Sequence, residues 1–208
     1  MTRAASRLVS LKRSNYSGPL DSSFENMSEE IEVLKTVTGG LNQVNIPYII
    51  SGSMAANYYT VPRMTRDIDV ILMLKMLDVD RFVKIFEEDF FIDKESLQEE
   101  IKRKGMFNCI HKKFIIKVDF ILSKDTSFQD STFLRRRDVL IDNERMWIIS
   151  AEDLILAKLL WAKDSLSAFQ LHDIRNLMST VKNLDHGYIQ KWVADLELSD
   201  IYQRIKHE

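Results

Sequence analysis

The apolar positions change period along the chain, from helical to strand-like and back to helical. Ile31, Leu34, Val37, Leu41 and Val44 recur at spacings of three and four. They predict a helix that starts near Ser28, is weakened at Gly39-Gly40 and is closed off by Pro47. Tyr48-Ile49-Ile50-Ser51 predicts a short buried strand running into Gly52-Ser53, followed by a short helix over 54–59 that Val61-Pro62-Arg63 breaks. A second strand is predicted over Asp67–Leu72. An amphipathic helix follows over 78–88, with Phe82, Ile85 and Phe86 inward, then a charged helix over 95–104. The stretches 107–111 and 114–122, rich in Ile, Phe and Val, read as a hairpin. Residues 123–138 read as a polar loop ending in Arg135-Arg136-Arg137, and 146–149 as a last short strand. From Ser150 the period is helical to the end, over about 151–164, 168–181, 186–195 and 198–206, and Ser150 with Asp153 has capping-box-like spacing. Residues 1–25 hold no sustained period. The pattern therefore predicts a poorly ordered arm over 1–25, an α+β (mixed α/β) domain over 26–149 and a helical domain over 150–208. The first would be a small mixed sheet flanked by helices, the second a C-terminal helical bundle.

Composition narrows the class. Apolar residues make up 45% and charged residues 29%, as in ordinary globular chains. The net charge is -2, so no global basic field advertises a nucleic-acid partner and any such contact needs a local patch. The single cysteine, Cys109, has no internal disulfide partner and sits in an apolar stretch, as a reduced core thiol of a cytoplasmic protein would. No apolar run approaches the roughly 20 residues that span a bilayer, so no membrane is expected. Arg3, Arg7, Lys12 and Arg13 precede any acidic residue, a composition shared by transit peptides and by mobile basic tails; the tail is the reading adopted.

The chemistry concentrates on carboxylates. On a strand, Asp67 and Asp69 project from one face. Two close carboxylates beside Val70-Ile71-Leu72 are costly to bury unless a cation joins them, and hard oxygen ligands suit Mg²⁺ or Mn²⁺. An Asp-x-Asp arises readily in a chain with 31 acidic residues; Asp78-Val-Asp80 is another, read as the solvated start of a helix. Asp119 adds weight, because it interrupts the apolar run from Phe114 to Leu122. If its strand lies beside the Asp67–Leu72 strand, three carboxylates reach the same cations, the usual cradle for two-metal phosphoryl chemistry. The alternative is a partly exposed edge position. Gly52-Ser53 ends a strand and begins a helix, where free N–H groups suit a triphosphate; the same dipeptide is also a plain N-cap.

The order Gly52-Ser53, thirteen residues, Asp67-Ile68-Asp69 and a distant strand Asp119 resembles the nucleotidyltransferase superfamily that includes DNA polymerase beta. The run 46–56, Arg63-Met-Thr-Arg-Asp-Ile-Asp69, the run 150–163 and His172-Asp173-Ile-Arg-Asn176 resemble the bacterial AbiEii/MenT-like or DUF6036-like nucleotidyltransferases. The resemblance covers roughly residues 28–205. It implies a nucleotidyltransferase fold and a divalent cation, Mg²⁺ or Mn²⁺. It implies that Gly52 and Ser53, with Arg66, hold the nucleotide, that Asp67, Asp69 and Asp119 bind the metal, and that Asp119 favours the attacking hydroxyl as its oxyanion. Lys158 and Asp173, from the helical domain, match the Lys and Asp that complete such sites. The family's usual basic-Asp pair is His172-Asp173 here, a departure that bears on the acceptor.

The expected reaction moves an NMP from an NTP to a hydroxyl. A tRNA 3′ end is the implied acceptor, with a protein hydroxyl or an aminoglycoside as alternatives, and an antitoxin protein is the implied partner. The rival readings are a non-catalytic nucleotide-binding module and a protein-interaction component of a toxin–antitoxin pair. Arg135, Arg136 and Arg137 could contact RNA phosphates; neighbouring Asp138 and Asp142 favour a solvated charge run instead. Lys158 would otherwise sit on an exposed helical face and Asp173 would pair with Arg175. Lys163 and Gln170 are rim positions. Trp147, Trp161 and Trp192 fall at core-like positions, and the four histidines form no zinc-like cluster.

Overall fold

The structure is a computed structural model, and it describes residues 28–207 apart from Leu166. The expected N-terminal arm lies outside the described residues. Helix α1 (Ser28–Gln43) buries Ile31, Val33, Leu34, Val37 and Leu41, the predicted face. It runs straight through Gly39-Gly40, where a weakening was expected. Gly40 allows a close approach: a Cβ there would lie 2.6 Å from the Phe86 ring.

Strand β1 (Tyr48–Ile50), helix α2 (Gly52–Tyr59) and strand β2 (Asp67–Leu72) follow in the predicted order. A 3₁₀ turn at Met76–Asp78 leads into α3 (Val79–Phe86), then β3 (Phe90–Phe91) and α4 (Lys94–Arg103). Asp78 is not the solvated helix start that the sequence suggested. It is buried, accepts the Lys75 N–H at 3.0 Å and pairs with Arg81 at 2.6 Å. Strands β4 (Met106–His111) and β5 (Lys117–Leu122) form the expected hairpin.

Residues 123–138 are not a loop. Helix α5 (Ser127–Arg135) forms there, its N-cap Thr126 accepting the Gln129 N–H, with Phe128, Thr132 and Phe133 inward. A hairpin of β6 (Arg137–Ile141) and β7 (Glu144–Ile148) follows. Asp142 and Asn143 make its two-residue turn with φ of 45° and 63°, the positive values that such turns require.

The seven strands form one mixed sheet, ordered β3-β4-β5-β2-β1-β7-β6. In its centre β2 and β5 are parallel and in register, while β1 runs antiparallel to β2. Alternation sorts their side chains between two faces. Ile68, Val70 and Leu72 with Val118, Phe120 and Leu122 face α3, where Phe82 packs edge-on against Phe107 and Phe120 at 5.6 and 5.4 Å. Asp67, Asp69 and Ile71 with Lys117, Asp119 and Ile121 share the opposite face.

That second face is roofed by α5 and α6 (Ala151–Ser165). Leu154, Ile155, Leu156, Leu159 and Ala162 are all fully buried, so α6 is apolar around most of its circumference and forms the axis of the helical layer. Around it pack α7 (Ala168–Thr180), α8 (His186–Asp195) and α9 (Ser199–His207). Ser150 caps α6, accepting the Asp153 N–H at 3.2 Å. Cys109 is a buried free thiol, pushed up to about 12 by burial. Trp192 is in the core against Phe128, but Trp161 is 57% exposed, contrary to its core-like spacing. Among the described residues, no helix is long and apolar enough to cross a membrane.

Candidate active site

The site grows from the pairing of β2 with β5. Parallel registration sets Asp69 directly opposite Asp119, and Asp67 opposite Lys117. Burial pushes the Asp69 carboxyl up to about 6, and the neighbouring Asp119 charge pushes in the same direction against the pull of Lys158. Asp119 is buried and Asp67 exposed. The Lys117 ammonium lies 2.7 Å from Asp119 Oδ2 and 3.6 Å from Asp67 Oδ1, and its hydrogen bond to Asp119 raises its own pKa. The chain thus supplies an internal cation to two of its three carboxylates. Among the described residues, no three His, Cys, Asp or Glu side chains form a group poised to hold a metal.

Gly52 abuts this cluster. Its φ is +60°, in the left-handed region, and a Cβ there would overlap the Asp69 carboxylate. Only glycine lets the head of α2 come so close. The backbone N–H of Ser51 donates to the Asp69 carbonyl at 2.9 Å, tying the strand end to β2. Ser51 occupies the N-cap position without a side-chain cap, so its hydroxyl does not cover the N–H groups of the first turn. Two residues on, Ser53 Oγ accepts a hydrogen bond from Arg63 Nη2 at 2.9 Å.

Arg63 connects α2 to the helical layer. Its backbone is clamped by Asn57, which accepts the Arg63 N–H at 3.0 Å and donates to the Arg63 carbonyl at 2.7 Å. Its guanidinium donates to both Asp173 oxygens, at 3.3 and 3.1 Å. Lys158, 3% exposed on α6, donates to Asp173 Oδ2 at 2.8 Å and to Gln170 Oε1 at 3.1 Å. Burial raises the Asp173 pKa, but the hydrogen bonds and charges of Arg63 and Lys158 outweigh it and hold the carboxyl below its ordinary value. Lys158 is therefore not on an exposed face and Asp173 does not spend its charge on Arg175. A cavity of about 240 Å³ opens beside this network, lined by Asn57, Pro62, Arg63, His172, Asp173 and Asn176 among others.

Two residues in this geometry went unread in the sequence. The sequence places Arg63 in the break after the short helix, and the resemblance implies Arg66, three residues later, as the nucleotide contact; Arg66 is exposed. Lys117 carries no assignment from the sequence. Its i, i+2 relation to Asp119 was the available signal. Lys163 is exposed, whereas Gln170 is half-buried against Lys158.

The arginine cluster does not stay together. Arg135 turns inward, pairing with Glu152 at 3.1 Å and stacking on Tyr188 at 3.8 Å. Arg136 lies over Trp147 at 4.5 Å and donates to the Phe133 carbonyl at 2.6 Å. Arg137 alone of the three is exposed, at the start of β6. A helix end and a strand start send neighbouring side chains apart, where a loop would have let all three face solvent.

No protein-family model matches the chain, and no curated protein matches it either. Solved structures do. The antibiotic-resistance factor ANT(2'')-Ia, studied in solution, superposes with a TM-score of 0.59 over 86% of this chain and 96% of that one, at 12% identity. Its crystal structure with adenylyl-2''-tobramycin gives 0.58, over 84% of this chain and 99% of that one, at 12% identity. An antigenic nucleotidyltransferase-like protein from Paracoccidioides brasiliensis gives 0.52, over 86% and 93%, at 16% identity. The likeness at these identities is one of fold: the chain has the nucleotidyltransferase fold, an α+β architecture built on a mixed sheet.

Proposed function

We propose that the chain is a divalent-cation-dependent nucleotidyltransferase that transfers a nucleoside monophosphate from an NTP to a hydroxyl, releasing pyrophosphate. The observation that carries this reading is the in-register pair Asp69 and Asp119 beside Gly52 at the head of α2. A cation suits the site chemically. Asp69 is held near a pKa of about 6 by burial and by Asp119, and Lys117 already bridges Asp67 and Asp119 as a positive stand-in. The three carboxylates are not gathered for a metal while Lys117 holds two of them; with Lys117 displaced, Asp67, Asp69 and Asp119 would hold Mg²⁺ or Mn²⁺, which would lower the pKa of the attacking hydroxyl and neutralise the leaving phosphates.

The remaining parts are the chain's own. The first-turn N–H groups of α2 receive the phosphates, with Gly52 permitting the approach. Ser53 and Arg63, already hydrogen-bonded, orient them from one side, and Lys158 adds a buried positive charge that Asp173 and Gln170 fix in place. The cavity beside Arg63 has room for part of the nucleoside. Asp119 Oδ accepts the hydroxyl's proton or hydrogen bond once Lys117 releases it. The resemblance to AbiEii/MenT-like proteins suggested a tRNA end and a toxin role. With Arg135 and Arg136 engaged internally, the patch that would hold an RNA backbone is reduced to Arg137, and we take a small-molecule hydroxyl as the acceptor. ANT(2'')-Ia has been captured with adenylyl-2''-tobramycin, a nucleotidylated small molecule. The Lys117 clamp favours one other reading, an inert module whose carboxylates are satisfied without metal.

The deciding experiment incubates the protein with each α-labelled NTP, Mg²⁺ and mixed acceptors, and follows pyrophosphate release and label transfer. Release that depends on both metal and Asp69 supports the enzyme. Tight NTP binding with no release in any mixture supports the inert module.

A further inference from the structure

A second cavity, of about 100 Å³, lies on the carboxylate face of the sheet. Its floor includes Ile71 and Ile121, register partners two residues beyond Asp69 and Asp119 on the same face, so it begins about 7 Å from the carboxylate pair. Its roof includes Leu160 and Trp161 of α6, and its wall includes Phe128 and Phe133 of α5. Among the described residues that line it, none is charged. Thr132 spends its hydroxyl proton on the Phe128 carbonyl at 2.9 Å, and Gln129 Oε1 accepts from the Lys124 N–H. Trp161, 57% exposed, forms part of the lining that reaches solvent.

Among the described residues the two cavities share no lining residue, and Lys158 touches the surroundings of both. Lys158 bonds Asp173, which lines the first; Ala157, its neighbour on α6, lines the second. In-line displacement needs the nucleophile on the far side of the reacting phosphorus from the leaving pyrophosphate. The cavity with Arg63 has the cation for phosphates, so the neutral one is left for the nucleophile. A polyamine sugar would find no carboxylate in this lining, and an RNA backbone no cation.

We infer that this neutral cavity is the acceptor subsite, and that the acceptor is a small, uncharged hydroxyl compound whose aromatic or aliphatic end packs between Trp161, Phe128 and Ile121 with its hydroxyl toward Asp119. This rests on the transferase reading. The volume admits about one ring, the rest of the molecule extending past Trp161. The transfer conserves atoms: the acceptor oxygen forms a bond to the α-phosphorus, the bond to pyrophosphate breaks, and the hydroxyl proton leaves through Asp119.

The test uses the full chain, with 2-phenylethanol, tobramycin and adenosine as separate probes in saturation-transfer NMR, and Mg-NTP binding measured alongside. The expected result is saturation transfer to 2-phenylethanol and none to tobramycin, with 2-phenylethanol affinity falling about tenfold in Trp161→Ala, a loss of aromatic packing, while Mg-NTP binding and any adenosine signal hold. The half-exposed Trp161 can be truncated without opening the core; Ala157→Leu, which fills the cavity from the roof, is the second variant and should give the same loss. Absence of 2-phenylethanol binding overturns the inference. So does binding of tobramycin or adenosine that either variant abolishes, adenosine marking the cavity as a base site for the NTP. If 2-phenylethanol binds as expected while no NTP binds with any metal, the cavity assignment stands and the transferase reading is what fails.

Discussion

Asp69 is where stability and the proposed chemistry oppose each other. Its pKa is pushed from 3.8 to about 6 by burial and by Asp119. The folded state therefore holds a proton more tightly than the unfolded chain, and its stability declines as pH rises through that window. Above it the cost is full, at most about 3 kcal/mol for a shift of that size. Asp69→Asn removes the charge and keeps the shape. We expect the metal-free variant to melt higher than the parent at pH 7.5, with little difference near pH 4, and to have no transferase activity. A variant that melts lower would refute the account of a carboxylate strained by burial and by Asp119. Lys117 supplies the complementary case. Lys117→Ala removes the internal cation from Asp119 and Asp67. It should increase the thermal shift that Mg²⁺ produces, because the ion then displaces nothing; an unchanged shift would mean that Lys117 does not compete for the site. The carboxylates themselves could be read from strand alternation alone. Arg63 could not, because its role depends on how the 61–66 segment folds against α7, and two arginines three residues apart give a local pattern no means of choosing.

The helices and strands that the sequence yielded are those whose apolar period is unbroken, α1, β2, β5 and α8 among them. The stretch around α5 and β6 misled for a physical reason: three arginines look like solvated loop, yet two of them lie over Tyr188 and Trp147 inside the fold. Aromatic stacking lets a charged residue serve as packing, and no hydrophobicity pattern registers that. The contact between α6, α7 and the segment after α2 is equally hidden, since it is made by polar groups. Asp173 holds Lys158 and Arg63 at once, with Lys158 almost wholly enclosed. Asp173→Asn leaves that ammonium facing only Gln170 and an amide. Breaking a buried pair from one side costs about 3–5 kcal/mol, so a clear drop in melting temperature at pH 7 is expected. The pKa of Asp173 is lowered in the fold, so its contribution is present above its ordinary value of 3.8 and disappears as pH falls through the lower folded value. Parent and variant should therefore converge in stability toward the acid end. A constant gap down to that end would assign the loss to packing instead of charge.

At the scale of the molecule, one sheet separates two environments. Its aromatic face, packed on Phe82 and Phe86, is a plain hydrophobic core. Its other face carries carboxylates at one end and isoleucines at the other, under a roof whose central helix is mostly apolar but buries Lys158. Asp173 also ties the roof to the segment after α2 by holding Arg63 and Lys158, the two cations proposed to meet phosphate. A triphosphate with its cations would then bridge sheet, α2 and α6 at once. Binding to the folded state alone stabilises by about 2.7 kcal/mol at a hundredfold excess over Kd. A domain of this size gains about 2–4 °C per kcal/mol, so a shift of about 5–10 °C is expected with Mg²⁺ and the preferred NTP together. Either one alone should give far less, because without the ion the phosphates meet Asp69 and Asp119, and without the phosphates the ion meets Lys117. The same scan on Asp69→Asn should be flat, and on Trp161→Ala unchanged, since Trp161 lines the other cavity. Flat melts for the parent with every NTP, with and without metal, would remove nucleotide binding from this chain and leave the nucleotidyltransferase fold serving another purpose.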